Sequence, residues 1–163
     1  MKSISRTTAR SAAVLTLLLL CALVAWAQPD GSRNGVDFST WKYGPEGMLE
    51  ASQQYEADPK PILLYFYTDW CGYCRQFERE LLTSKELQNY LEDEVIAVRI
   101  NPERDNGARI SRRYGVRGFP ALFVHSSESK VISRVDRMKV VEGRPQLMTP
   151  AEFIDVVRQA GSR

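Results

Sequence analysis

Apolar positions along the chain fall into short unbroken runs separated by stretches with helical spacing. The runs are Ile62–Tyr67, Glu94–Ile100 and Ala121–His125, each rich in β-branched, aromatic or other apolar residues. Runs of this length, bounded by Pro, Gly or Asn, predict strands buried on both faces. A fourth strand, Val131–Val135, follows a hairpin loop at Ser126–Lys130. Between the runs the spacing changes. Met48, Leu49, Ser52 and Tyr55 fall near one face of a helix over Pro45–Ala57, which starts with proline in its first turn and is stopped by Asp58-Pro59-Lys60-Pro61. Arg75–Leu82 is rich in helix formers, with Phe77 and Leu81 four apart. Thr83-Ser84-Lys85-Glu86 reads as a capping box for a helix through Leu87, Tyr90 and Leu91. A short basic helix, Ala108–Tyr114, runs from the Asn106-Gly107 turn to Gly115. Thr149-Pro150-Ala151-Glu152 caps a last helix that buries Phe153, Ile154, Val157 and Ala160. This order predicts an α/β fold, a central mixed sheet with helices on both faces.

The ends of the chain read differently. Lys2, Arg6 and Arg10 precede an apolar run from Ala12 to Ala25, which closes on Ala25-Trp26-Ala27. A basic start, a short apolar middle and small residues at the end describe a signal peptide, residues 1–27, cleaved after Ala27. The alternative is an N-terminal membrane anchor, for which the apolar run falls short of the ~20 residues a spanning helix needs. Pro29 and Gly31 among polar residues make 28–44 a flexible lead-in, with Val36, Phe38 and Trp41 forming a patch on the outer face of a domain over 45–163. The connection from Asp136 to Met148 reads equally as a recognition loop or a spacer.

Cleavage alters the charge balance. It removes three of the 22 basic residues and none of the 20 acidic ones, leaving 19 against 20 and a net charge of −1. That balance points away from nucleic acid and from an anionic membrane surface. Cleavage also removes Cys21, so the mature chain keeps Cys71 and Cys74. Export implies a compartment in which disulfides persist.

The candidate chemistry lies in Trp70-Cys71-Gly72-Tyr73-Cys74, between the first strand run and a helix. A strand running into a Cys-x-x-Cys puts the first cysteine at a helix N-terminus, where the partial positive charge favours a thiolate. A purely structural disulfide is the bland alternative, but so small a loop removes little chain entropy. A zinc site needs four ligands, and beyond the two cysteines the mature chain adds only His125. Arg75 follows Cys74, so the haem-attachment pattern is absent. Copper held by two thiolates lacks supporting Met or His nearby. No metal and no cofactor are expected.

With Tyr114-Gly115-Val116-Arg117-Gly118-Phe119-Pro120 some 46 residues further on, the strand, Trp-Cys-Gly-x-Cys and helix together resemble the thioredoxin superfamily. The run Pro61–Cys71 is most similar to small exported thioredoxin-like proteins and to the C-terminal thioredoxin domain of the transmembrane disulfide reductase of the Dsb system. The resemblance implies a thioredoxin fold and a Cys71–Cys74 redox-active disulfide. Cys71 is implied as the exposed attacking cysteine and Cys74 as the buried resolving one. Pro120 matches the family's cis-proline; Phe119 lines the substrate groove, and Trp70, Gly72 and Tyr73 shape its rim. The expected partners are protein disulfides or thiols and a membrane thiol electron donor, in the bacterial periplasm, with no stable membrane insertion after cleavage. Two positions depart from the family pattern. Tyr65 stands where thioredoxins usually place a buried aspartate, and Ala121 where threonine is commoner. Glu78, one helical turn after Cys74, is the candidate substitute for the missing carboxylate. A thioredoxin-fold binding module or chaperone whose cysteines matter little remains the alternative. Net reduction is the expected direction, because the chain has no room for the separate dimerisation domain of the Dsb isomerase; isomerisation and oxidation are the alternatives.

Overall fold

A computed structural model of the chain describes residues 31–163. The expected signal peptide, its cleavage site and the start of the lead-in lie outside the described residues. At the centre is a five-stranded sheet in the order β3 (Lys42–Tyr43), β5 (Ile96–Ile100), β4 (Ile62–Phe66), β6 (Ala121–His125) and β7 (Ile132–Val135). Strand β4 runs parallel to β5 and antiparallel to β6, so the sheet is mixed as expected. All five residues of β4 and all five of β5 are buried. That is why these strands read as unbroken apolar runs: neither face meets water.

Successive side chains of a strand point to opposite faces, so β4 feeds two cores. Leu63, Tyr65 and the following Tyr67 pack with Phe77, Leu87, Leu91, Phe153 and Val157. These come from α2 (Gly72–Phe77), α3 (Lys85–Glu94) and α5 (Pro150–Gly161). Ile62, Leu64 and Phe66 pack on the other face with Ala51 of α1 (Gly44–Ala57) and Ile110 of α4 (Gly107–Arg113). Each fully buried Leu or Phe is worth about 1.5–3 kcal/mol, so these two cores dominate the fold's stability. Helix α5 carries the full capping box, Thr149 and Glu152 each bonding the other's backbone N–H.

Three local expectations differ from the structure. First, the stretch read as a lead-in over 28–44 is built into the domain from Gly31 on. Strands β1 (Ser32–Arg33) and β2 (Val36–Asp37) form a hairpin whose turn residues, Asn34 and Gly35, both have positive φ. Val36 and Phe38 are buried in the core, not laid on an outer face. Phe38 has a partner there, since the Arg99 guanidinium carbon lies 4.5 Å from its ring centroid. Second, the helix expected over Arg75–Leu82 changes pitch, and α2 gives way to a π-helical turn over Glu78–Leu82. Third, Ser84 caps α3, one residue later than the Thr83 capping box expected, and its hydroxyl accepts from the Leu87 N–H. The connection Asp136–Met148, whose role the sequence left open, forms a hairpin of β8 (Met138–Val141) and β9 (Arg144–Leu147). Lys139 Nζ ties that hairpin to Glu152 at 2.5 and 2.8 Å.

Candidate redox site

The site is assembled at one end of β4. Its chain emerges through Thr68 and Asp69, passes Trp70, and enters α2 at Cys71, the N-cap residue. Cys71 and Cys74 form a disulfide with their Cα atoms 5.2 Å apart. Cys71 Sγ also accepts the Cys74 backbone N–H at 3.0 Å. A donor aimed at sulfur favours the thiolate once the bond is reduced. Cys74 is fully buried, while Cys71 is 4% exposed. The resemblance expects an exposed Cys71; in the disulfide it is nearly buried and lines a cleft.

That cleft, of about 620 Å³, is lined by Trp70, Cys71, Gly72, Tyr73, Gln76, Arg117, Gly118 and Phe119. Trp70 and Tyr73 are 64% and 66% exposed. Large aromatics left out of the core beside a cysteine pair form an apolar surface that a partner chain can cover. Trp70 is held in place from two sides: its ring meets Phe119 edge-on at 6.2 Å, and its Nε1 donates to Glu103 at 2.8 Å. The Phe119–Pro120 peptide bond is cis, and Pro120 lies buried behind Phe119 just before β6. Of the candidate residues, Trp70, Gly72, Tyr73 and Phe119 therefore share one cleft with Cys71, whereas Pro120 does not line it.

Glu78 is the other buried group near the pair. Its side chain has no solvent exposure, and its backbone N–H donates to the carbonyls of Cys74 and Arg75. Oε1 accepts the Tyr65 hydroxyl at 2.8 Å. Oε2 accepts Arg33 Nε at 3.0 Å and also Asn34 Nδ2. Every side-chain partner is a donor, the set an ionised carboxylate satisfies. Burial, and then the charge of Glu78, push the Tyr65 phenol well above its usual range, so it remains a donor. For Arg33, burial pulls the guanidinium pKa down but the neighbouring Glu78 more than offsets it, and the net shift is upward. Tyr65, at the position where a carboxylate was expected, thus presents its hydroxyl to one. Arg33 and Asn34 escape sequence reasoning because they precede Glu78 by more than forty positions. The one available signal was the Asn34-Gly35 turn.

His125 ends β6 and shares a 2.7 Å hydrogen bond with Tyr114, while burial lowers its pKa. Among the described residues, no group of three or more His, Cys, Asp or Glu side chains is arranged to hold a metal ion.

A family profile described as a thioredoxin-like domain matches residues 48–137. The chain belongs to that family. Among characterised relatives of this thioredoxin-like domain, the disulfide bond reductase DsbH of Chlamydia pneumoniae is 29% identical over 100 residues, 55% of this chain and 60% of DsbH. The thiol:disulfide interchange protein DsbD of Yersinia pestis is 26% identical over 132 residues, 74% of this chain but 22% of DsbD. The chain therefore spans less than two thirds of either relative. Among solved structures, a thioredoxin from Thermus thermophilus superposes with TM-score 0.54 at 24% identity, covering 74% of this chain and 86% of that one. The oxidised C-terminal domain of Neisseria meningitidis DsbD gives 0.52 at 22% identity, covering 73% and 98%. At that identity the likeness concerns the fold. The β1–β2 hairpin with Arg33 and Asn34, and the β8–β9 hairpin, lie outside the span the thioredoxin-like profile matches. Among the described residues, no helix is long and apolar enough to cross a membrane.

Proposed function

We propose that this chain is an exported thiol–disulfide oxidoreductase that reduces disulfides in other proteins. The observation that carries the reading is the Cys71–Cys74 disulfide at a helix start, opening into a cleft walled by the exposed aromatics Trp70 and Tyr73. In the reduced protein, the Cys71 thiolate attacks a substrate disulfide. A Cys71–substrate mixed disulfide forms, and one substrate thiolate leaves. Cys74 then gives its proton to Glu78, and its thiolate attacks the Cys71 sulfur. The internal disulfide reforms and the second substrate thiolate leaves; two electrons have passed from the cysteine pair to the substrate. Trp70, Gly72, Tyr73 and Phe119 bind the substrate chain beside Cys71, and Pro120 offers backbone to it. A membrane thiol protein restores the dithiol, and the periplasm is the compartment. Support for the reducing direction comes from the relative named a disulfide bond reductase.

The test is insulin reduction by the reduced protein, with Cys71→Ser as the comparison. Loss of activity in the variant is expected. Equal activity would sink the enzyme reading and leave a binding module or chaperone. The reduction potential of the pair decides direction: about −270 mV fits a reductase, and a value near about −120 mV reverses it in favour of an oxidant.

A further inference from the structure

Arg33 joins both flanks of the cysteine pair to the β1–β2 hairpin. Its Nε donates to Glu78 Oε2 at 3.0 Å, its Nη1 to Asp69 Oδ1 at 2.7 Å, and its Nη2 to the Thr68 carbonyl at 3.2 Å. The Tyr67 ring centroid lies 4.6 Å from its guanidinium carbon. Thr68 and Asp69 lead directly into Trp70-Cys71, and Glu78 follows Cys74 by one helical turn. A single side chain therefore grips the redox motif from before its first cysteine and from beyond its second.

We propose that Arg33, aided by Asn34, is a positioning residue for the resolving step: it supplies the counter-charge that keeps Glu78 a carboxylate able to take the Cys74 proton. The proposal rests on the proton role given to Glu78 above. A carboxyl buried without a counter-charge holds its own proton to higher pH, and in that form it cannot accept another. An ionised carboxylate offers about four lone-pair sites. Tyr65 takes one on Oε1, and Arg33 and Asn34 take two on Oε2, which leaves one for a thiol proton. The side chains bonded to Glu78 are Arg33 and Asn34 from the hairpin and Tyr65 from β4, while Cys74, one helical turn back on α2, accepts the Glu78 backbone N–H on its carbonyl. Further out, Asp69 shares Arg33 but is also bonded by Arg104 at 2.5 Å, so it does not claim the whole guanidinium charge. Arg137, which follows β7, lies 6.0 Å from the Tyr73 ring centroid. Neither it nor Tyr73 bonds Glu78.

The resolving step can be read directly. The reduced full chain is mixed with dithiobis-nitrobenzoate. Cys71 forms a mixed disulfide with release of one thionitrobenzoate, and attack by Cys74 releases the second. The rate of the second release is followed by stopped flow across pH. Arg33→Gln keeps a donor and loses the charge. We expect it to slow the second release about tenfold at neutral pH, with the acid side of the profile displaced to higher pH and the rate recovering when the pH is raised. Arg33→Lys, which keeps a charge, should stay near the wild-type profile, and Glu78→Gln should be slow at every pH. If Glu78→Gln leaves the second release unchanged, the proton role of Glu78 falls, and the proposal with it. If Glu78→Gln is slow but Arg33→Gln keeps the wild-type profile with a lowered melting temperature, Arg33 only fastens the hairpin. That overturns the proposal and leaves Glu78 standing. Should Arg33→Gln fail to fold, Asn34→Ala is the substitute, with a smaller displacement in the same direction expected and an unmoved profile counting against it.

Discussion

Tyr65→Phe isolates one hydrogen bond in the buried cluster. The substitution leaves the ring in place, and that ring packs against Tyr67 and Phe77 with centroids 5.4 Å away in each case. No cavity forms, so the change is confined to the hydroxyl and its 2.8 Å bond to Glu78 Oε1. A buried bond to a charged group contributes about 1.5–3 kcal/mol. Glu78 keeps Arg33 and Asn34 in the variant, which places the expected loss near the lower end, at about 1.5–2 kcal/mol. In a domain of this size that is a melting-point drop of roughly 4–8 °C. The assay is urea unfolding of the oxidised protein at a series of pH values. The sign of the pH effect follows from the Tyr65 phenol, whose folded pKa lies well above its ordinary value of 10.0. Below pH ~10 both folded and unfolded states hold that proton and the full gap between wild type and variant is present. Above it the unfolded wild type loses the proton first, so wild-type stability falls and the gap narrows. Tyr67, pushed up to about 12 chiefly by burial, titrates in both proteins and cancels in the difference. A gap that is absent at neutral pH, or one that widens above pH ~10, would refute the reasoning.

Trp70→Ala should change global stability by no more than about 0.5 kcal/mol, as Trp70 is 64% exposed, yet raise KM for peptide disulfides; steady-state kinetics and a melting curve together check both halves. Burial holds the folded His125 pKa below its ordinary 6.5, so the unfolded state binds its proton first as pH falls. Wild-type stability should therefore drop as pH falls through about 6.5, and His125→Gln should flatten that part of the urea-midpoint curve. Glu152 is held down to about 2 by Lys139 and by the Thr149 cap, so its contribution is present above pH 4.5 and lost as pH falls towards 2. Glu152→Gln should speed amide exchange in the first turn of α5 and in the β8–β9 hairpin at neutral pH, with little change at pH ~2.

The parts of the fold legible in the sequence were those encoded locally. Strand β4, Cys71–Cys74 and the start of α2 are adjacent in the chain, and their apolar run, spacing and cap residue all carry a direct signal. The α5 cap is legible for the same reason. The π-helical turn at Glu78–Leu82 is not, because a helix former supports either pitch and the choice is made by packing. The Ser84 cap shows how two adjacent hydroxyl residues, Thr83 and Ser84, leave a boundary open by one position. The β8–β9 hairpin was hidden by Pro145, which demotes a strand reading although it is tolerated at a short exposed edge. The clasp on Glu78 is the largest gap. Arg33 sits in a polar stretch with no periodicity, and only the folded chain brings its guanidinium to a carboxylate.

Strand β3 contributes two residues, Lys42 and Tyr43, to the sheet, yet it lies alongside β5, whose other neighbour is β4. Without it, Ile96-Ala97-Val98-Arg99-Ile100 would present a bare row of peptide groups on an apolar ribbon, the template from which intermolecular sheets grow. The segment that looks most dispensable thus covers Val98 and Arg99 on an edge of the kind from which self-assembly starts. A shortened protein begun at the first long helix would lose that pairing together with Phe38 and Tyr43, the two rings that lie over Arg99.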